Sequence, residues 1–202
     1  MGHVTTSSGR RVTYHWPMVR TTHRHVERSD WWPTTAVHKP TMPEIFEHIV
    51  SLLTVASIAH RVHEHGEIRT IDEAAQRAPH LLENLIKTIA FEIEAGGRTV
   101  LAAVQHTAQV DYKQLSAVLG CNRRALRLIP AARVERELGF EVGGLGPFAV
   151  QPHIEVVVDC AVLAQSWLRC GAGLRTRTLE LSAADLVLLS RAHVAAIAKP
   201  AV

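Results

Sequence analysis

The chain has 202 residues, of which 47% are hydrophobic and 20% charged. It is therefore long enough for one substantial hydrophobic core, and nothing in its length or composition requires a second domain. Its three cysteines, Cys121, Cys160 and Cys170, leave an odd one over and form no C-x-x-C motif. This excludes a disulfide framework and a thiolate zinc site as the organising principle. The sequence has no run of 18 apolar residues and no apolar signal-peptide core at its start, so we expect a cytoplasmic protein without a membrane partner.

The basic character of the chain is confined to its first 41 residues. They hold six Arg or Lys against two Asp or Glu, whereas the other 161 residues hold 16 against 17. The first segment also shows no sustained period of 2 or 3.6. We therefore predict a disordered basic extension over residues 1–41 and a single folded domain over residues 42–202. Any nucleic-acid contact by the domain has to rest on local basic clusters.

The domain begins with an amphipathic helix predicted from Thr41 to Val55, because Ile45, Ile49 and Leu52 recur at helical spacing. A strand over Ser57 to His65 is expected next.

Three histidines in that strand, His60, His63 and His65, allow a metal-site interpretation. No Asp or Cys at ligand spacing completes the set, so we predict no metal and no other cofactor. Thr70 and Glu73 then have the spacing of a capping box, which predicts the start of a short helix.

The segment Leu85 to Ile93 alternates as a strand and is followed by a glycine turn and a return strand over Thr99 to Gln105. A period of 2 places Lys87 on the more apolar face. Two interpretations stay open there: the side chain snorkels to an edge, or it is a desolvated ammonium with a function. Asp111 is predicted to cap the helix that follows.

Two basic pairs come later in the chain. Arg123 and Arg124 precede the predicted short helix after Pro130, and each is either a phosphate contact or a solvated edge. Arg175 and Arg177 begin a strand predicted to end at Leu181, before a last helix capped by Ser182. Strands over 154–159 and 166–170 complete the elements.

Four glycines and a proline lie within the segment Gly139–Pro147, which we call the glycine loop. Such a composition excludes a regular helix or strand and predicts a shaped loop, since glycine lets a ligand approach the main chain closely. A plain connector is the competing interpretation.

Several motifs in this order resemble the YbaK/EbsC-like family, which includes the editing domain of bacterial prolyl-tRNA synthetases. The resemblance spans residues 43 to 198. It is carried by Thr70-x-x-Glu73-Ala74-Ala75, Ile86-Lys87-Thr88, Val110-Asp111-Tyr112-Lys113-Gln114-Leu115-x-x-x-Leu119-Gly120, Gly139-Phe140-x-Val142-Gly143-Gly144-x-Gly146-Pro147 and Leu179-Glu180-Leu181-Ser182-x-x-Asp185-Leu186.

The resemblance implies an aminoacyl-tRNA deacylase that acts in trans on mischarged tRNA, with aminoacyl-tRNA and an aminoacyl-tRNA synthetase as partners. It assigns catalysis to Lys87 and Gly143. Arg123, Arg124, Arg175 and Arg177 are candidates for tRNA contact because they form local basic clusters. The resemblance also implies a substrate-binding set: Gly144, Leu145, Gly146, Pro147, His63, Thr70 and Thr178.

His63 and Thr178 depart from the cysteinyl-specific branch of that family, which carries a tyrosine and an aspartate at these positions. The amino acid removed is therefore left open among alanine, serine, threonine and other small residues. A catalytically inactive module that binds an aminoacyl-type ligand or a protein is the alternative. The expected fold is α+β, with a mixed, largely antiparallel, curled, barrel-like sheet flanked by short helices.

Overall fold

The computed structural model describes residues 2–5, 11–14, 42–94, 96–151 and 153–199. Five α-helices lie in these ranges: α1 (Met42–Val55), α2 (Ile71–Arg77), α3 (Tyr112–Val118), α4 (Ala131–Arg133) and α5 (Ala183–Ser190). The strands are β1 (Gly2–Thr5), β2 (Arg11–Tyr14), β3 (His60–Glu64), β4 (Ile86–Ile93), β5 (Arg98–Gln105), β6 (Leu126–Leu128), β7 (Ile154–Asp159), β8 (Trp167–Gly171), β9 (Arg177–Ser182) and β10 (His193–Ala195).

A five-stranded sheet in the order β10-β7-β5-β4-β6 forms the centre of the domain. Its middle is the predicted hairpin, in which β4 and β5 are antiparallel and Ile93 lies opposite Arg98. Gly96 and Gly97 make the turn with φ of 101° and 62°, a conformation that side chains disfavour. β7 joins β5 in parallel, and β10 joins β7 in parallel.

A second sheet, antiparallel in the order β3-β9-β8, meets the first at one bridge between Leu85 and Arg169. The mixed α+β class is confirmed, but the single curled sheet of the prediction is divided in two. The backbone of Asn84, just before this bridge, has φ of 54°, outside the strand region, so pairing with β8 does not extend backwards along the chain. β4 then continues with β5 instead.

The larger core lies between the two sheets and is closed by α1 and α5. Ile45, Ile49 and Leu53 of α1 are fully buried in it, which confirms the amphipathic helix predicted for this segment. A smaller core lies under α3, where Phe91 and Leu115 are fully buried. The two cores therefore lie on opposite faces of β4, with Ile86 and Ala90 in the larger core and Phe91 and Ile93 in the smaller one.

Helix ends follow the predicted capping chemistry. The Asp111 carboxylate accepts hydrogen bonds from the backbone N–H groups of Lys113 and Gln114 at the start of α3. α4 continues into a π-helical turn, Val134–Leu138, which ends at Gly139 in the left-handed conformation with φ of 75°. The glycine loop therefore begins where the helix stops.

Within the first 41 residues, the structure describes the antiparallel pair β1 and β2. The other residues of the predicted extension lie outside the described residues, and the division into extension and domain stays a prediction. None of the described helices combines the length and the apolarity needed to cross a bilayer.

Candidate functional site

A cavity of about 250 Å³ lies where the start of β4, the start of α2, the glycine loop and the β3-β9 edge meet. Hydrophobic side chains make up much of its wall, and cationic and hydroxyl side chains interrupt it. It is lined by His65, Ile68, Arg69, Thr70, Ile71, Ala74, Leu81, Leu85, Ile86, Lys87, Thr88, Gly143, Leu145, Gly171, Arg177 and Thr178.

Lys87 is the second residue of β4 and contributes the ammonium of this cavity. Partial burial lowers the pKa of Lys87 below its usual value of 10.5. Among the described residues, no hydrogen bond or ion pair is made by its side chain. A cation that is partly desolvated and not neutralised has an energetic cost, so its position favours a role in binding an anionic or polarisable ligand group.

Gly143 brings the main chain of the glycine loop to the cavity wall. Its φ is +92°, and a Cβ at this position would collide with the backbone oxygen of Ile68 and lie 2.7 Å from Cα of Arg69. The residue must therefore be glycine. The backbone N–H groups of Gly143 and Leu145 donate to no acceptor within the described part of the chain. Two residues whose main-chain donors have no acceptor in the described residues thus line the same cavity as Lys87.

Gly144, Gly146 and Pro147, predicted to bind substrate, are buried outside the cavity lining. The N–H of Gly173 donates to the carbonyl of Gly144 at 2.8 Å, and a Cβ on Gly146 would collide with the carbonyl of Gly171. These residues let two backbone segments pack against each other. Their contribution to the site is the shape of the loop.

Thr70 holds the start of α2 against the cavity. Its hydroxyl accepts a hydrogen bond from the N–H of Glu73 at 3.1 Å, as the capping box predicts. The carboxylate of Glu73 reaches one residue further back than expected and accepts from the N–H of Arg69 at 2.8 Å. This exchange fixes the wall formed by Arg69, Thr70 and Ile71.

His65 is a site residue that the sequence reasoning missed. Its Nδ1 lies 2.7 Å from the carbonyl oxygen of Gly66, and its Nε2 lies 2.9 Å from the hydroxyl of Thr178. A carbonyl only accepts, so Nδ1 carries the proton and, in the neutral ring, Nε2 accepts from Thr178. The available signal was the period of 2 that places His65, the residue directly after β3, on the same face as His63.

His63, the predicted pocket residue, lies outside the lining. Its Nε2 is 2.9 Å from Oε2 of Glu180, which also accepts from Nε of Arg169 at 3.0 Å. Burial raises the pKa of Glu180, but hydrogen bonds from His63 and Arg169 outweigh it and hold the pKa below its usual value. Arg169 in turn donates to the carbonyl of His80 at 2.7 Å. This network ties the second sheet to the loop before β4.

The arginines of the two predicted basic pairs differ in their position relative to the cavity. Arg177 lines the cavity and lies 3.1 Å from the carboxylate of Glu64. Arg175 is directed to Glu141 of the glycine loop and is not part of the lining.

Arg123 and Arg124 lie far from the cavity. The carbonyl of the neighbouring Ala125 accepts from the N–H of Glu94, which follows the last residue of β4. Lys87 is at the other end of that strand, six residues before Ile93, or about 20 Å at the rise of an extended chain. The structure therefore does not bring this pair together with the site.

The described residues contain no group of three or more His, Cys, Asp or Glu side chains placed to hold a metal ion. His60, His63 and His65 each bond to a different partner, namely Ile58, Glu180 and Gly66.

The fold and the pocket define an α+β domain with a small cavity lined by one lysine and by residues of one glycine loop. The model of the aminoacyl-tRNA editing domain family matches residues 65–189, well over half of the chain. The chain belongs to this family, which confirms the resemblance inferred from the motifs.

Among relatives, the uncharacterized protein YwhH of Bacillus subtilis (strain 168) is 25% identical over 117 residues, covering 58% of this chain and 72% of that protein. The proline–tRNA ligase of Geobacillus kaustophilus (strain HTA426) is 30% identical over 104 residues. That match covers 52% of this chain and only 18% of the ligase.

Two crystal structures have the same fold. The hypothetical protein APE2540 superposes with a TM-score of 0.66 at 24% identity, covering 75% of this chain and 99% of that one. A candidate trans-editing enzyme for prolyl tRNA synthetase gives a TM-score of 0.61 at 21% identity, covering 77% and 97%.

Proposed function

We propose that this protein hydrolyses the ester bond of mischarged aminoacyl-tRNA in trans, and that the cavity holds the aminoacyl group. One observation carries the proposal: Lys87, Gly143 and Leu145 line one cavity, and within the described residues the Lys87 side chain and the main-chain N–H groups of Gly143 and Leu145 have no partner. Membership of the editing-domain family and a fold neighbour described as a candidate trans-editing enzyme for prolyl tRNA synthetase support it.

The chemistry asks for little more than these groups. Water adds to the carbonyl carbon of the ester, and the bond from that carbon to the ribose oxygen breaks. The ribose oxygen takes up a proton that the water gives up. Negative charge develops on the carbonyl oxygen, where main-chain N–H donors stabilise it most effectively in a partly dry site. The Lys87 ammonium adds a positive charge next to the terminal adenosine. Since the ester is already activated, positioning of water or a ribose hydroxyl completes the requirement.

The size of the cavity limits what it takes in. Pockets for drug-sized ligands span roughly 300–1,000 Å³, and this cavity measures about 250 Å³. It therefore suits a small amino acid, with the adenosine and the acceptor stem outside. A pocket of this kind separates neighbouring amino acids by one methylene only weakly, so alanine, serine, cysteine and threonine are the candidates.

The test is deacylation by the wild-type protein of a panel of tRNAs carrying alanine, serine, cysteine or threonine, on tRNA for proline and on other tRNAs. We expect faster loss of at least one ester than in buffer, with correctly charged prolyl-tRNA as the comparison. A positive control is a known deacylase on the same panel. Binding of charged tRNA without hydrolysis, by folded protein across the whole panel, would instead support the catalytically inactive binding module.

A further inference from the structure

Three threonine hydroxyls belong to residues that line the cavity, and they differ in what they can still bind. The Thr70 oxygen already accepts the N–H of Glu73 at the start of α2. The Thr88 oxygen is fully shielded from solvent and has no partner within the described residues. The Thr178 oxygen is the one held in a defined orientation by a second side chain of the cavity, His65.

The direction of the hydrogen bonds makes Thr178 an acceptor. The Gly66 carbonyl accepts a hydrogen bond from Nδ1–H of His65, so the neutral His65 ring presents a lone pair at Nε2. The Thr178 hydroxyl donates its single proton to that lone pair over 2.9 Å. Its oxygen then has only lone pairs to offer to a ligand. A ligand group that meets this oxygen has to be a donor.

We propose that the Thr178 oxygen, oriented by His65, accepts the α-amino group of the aminoacyl ester and so selects esters that carry this group. The inference rests on the proposed function and assigns one end of its substrate. An α-amino group with a pKa of about 8 is mostly protonated at pH 7 and brings up to three N–H donors.

Charge places the amino group at Thr178 rather than elsewhere in the cavity. Lys87 repels an ammonium, and among the described residues no carboxylate pairs with Lys87. Arg177, which precedes Thr178 in β9 and also lines the cavity, is paired with Glu64 at 3.1 Å, which reduces its repulsion. The ester carbonyl then faces Lys87 and the glycine loop, while the amino group points to the His65–Thr178 pair.

The experiment compares tRNA esterified with alanine and tRNA esterified with propionic acid, which differ only in the amino group. Each rate of enzymatic hydrolysis is divided by the uncatalysed rate of the same ester, because the amino group also activates the bond. In the wild type we expect alanyl ester to be preferred about tenfold in kcat/KM, the value of one hydrogen bond to a charged group.

Two variants of Thr178 and one of His65 locate the source of this preference. Thr178→Val keeps the shape and removes the oxygen, so the ratio of the two esters falls towards one. Thr178→Ser keeps the oxygen and retains the preference. His65→Leu frees the hydroxyl to rotate and lowers the ratio in part. A ratio measured within each variant is not moved by a general loss of stability.

Each outcome decides the inference. A preference that Thr178→Val loses and Thr178→Ser retains supports it. An undiminished preference in Thr178→Val and in His65→Leu overturns it. Equal hydrolysis of both esters by the wild type overturns it and leaves the proposed function standing. Hydrolysis of neither ester, nor of any other in the mischarged panel, overturns both.

Discussion

The two sides of the glycine loop differ in whether their polar groups have hydrogen-bond partners. On one side, Glu141 accepts hydrogen bonds from the N–H of Arg175 at 2.7 Å and from its Nε at 3.1 Å, and the Val142 N–H donates to Glu135 at 2.9 Å. On the other side, the N–H groups of Gly143 and Leu145 have no acceptor in the described residues.

The pKa values of the basic residues on the two sides of the loop differ in the same way. The hydrogen bond to Glu141 raises the pKa of Arg175 above its usual value, because the charged form is stabilised. Burial lowers the pKa of Lys87, which pairs with no carboxylate of the described residues. The groups that hold the loop on its far side are paired, whereas Lys87 and the N–H groups of Gly143 and Leu145 have no partner among the described residues. The open groups are the ones available to a ligand.

The largest effect is expected from Lys87→Met, which keeps the apolar stem and removes the charge. Loss of a charge that stabilises the transition state lowers deacylation by about 10²–10³-fold. Stability should stay the same or rise, because the folded protein holds this lysine with a lowered pKa.

The direction of this effect on stability can be checked by varying the pH. Unfolded protein binds the extra proton between the lowered pKa and 10.5, so the free energy of unfolding of the wild type rises with pH through this interval. Lys87→Met should lack that rise. Urea unfolding at pH 8 and pH 10, beside single-turnover hydrolysis, measures both properties. A fully active variant would remove Lys87 from the site.

The second-largest effect is expected from Gly143→Ala. The backbone conformation with φ of +92° and the collision with the Ile68 carbonyl both oppose a Cβ, so we expect destabilisation of about 2–4 kcal/mol together with loss of activity. Urea unfolding measures the first. Gly66→Ala is the matched control for stability, since a Cβ there meets nothing within 4 Å. Equal stability of the two variants would contradict the strained loop.

Arg175→Gln tests the paired side of the loop. It removes hydrogen bonds to Glu141 and Glu135 and should lower the melting temperature by a few degrees. Because Arg175 does not line the cavity, the variant should retain most of its deacylation at temperatures where it is folded. Thermal unfolding followed by circular dichroism and a rate measurement at 25 °C separate the two effects.

The smallest effect concerns Glu137, at the end of the π-helical turn. Hydrogen bonds from Arg133 and then Arg136 lower its pKa to about 2. A carboxylate with a lowered pKa stabilises the fold above its unfolded value of 4.5, and that contribution disappears as pH falls through 2. Glu137→Gln should therefore be less stable than wild type at pH 7 and approach it near pH 2. Urea unfolding across this range gives the answer.

Local features of the site could be predicted from the sequence. The alternation in β4 located Lys87 on an apolar strand, and the spacing of Thr70 and Glu73 located the start of α2. The composition of the glycine loop predicted a backbone that side chains disfavour, and Gly139 and Gly143 have that conformation. Each of these properties depends on neighbours within a few residues.

The remainder depends on contacts between distant segments. His65 and Thr178 are 113 residues apart, and they meet because β3 and β9 pair antiparallel with His63 opposite Thr178. A period of 2 cannot tell which histidine of the pair turns to the cavity. The role of Gly144 and Gly146 likewise depends on the segment 171–173 that packs against them.

The most direct test of the central claim is single-turnover hydrolysis of the best mischarged tRNA by Lys87→Met and Arg175→Gln side by side. The account predicts that Lys87→Met loses at least two orders of magnitude, about the effect of one transition-state contact, while Arg175→Gln stays near the wild type. Equal losses in the two folded variants, or no loss in Lys87→Met, would show that the open side of the glycine loop is not the site of the reaction.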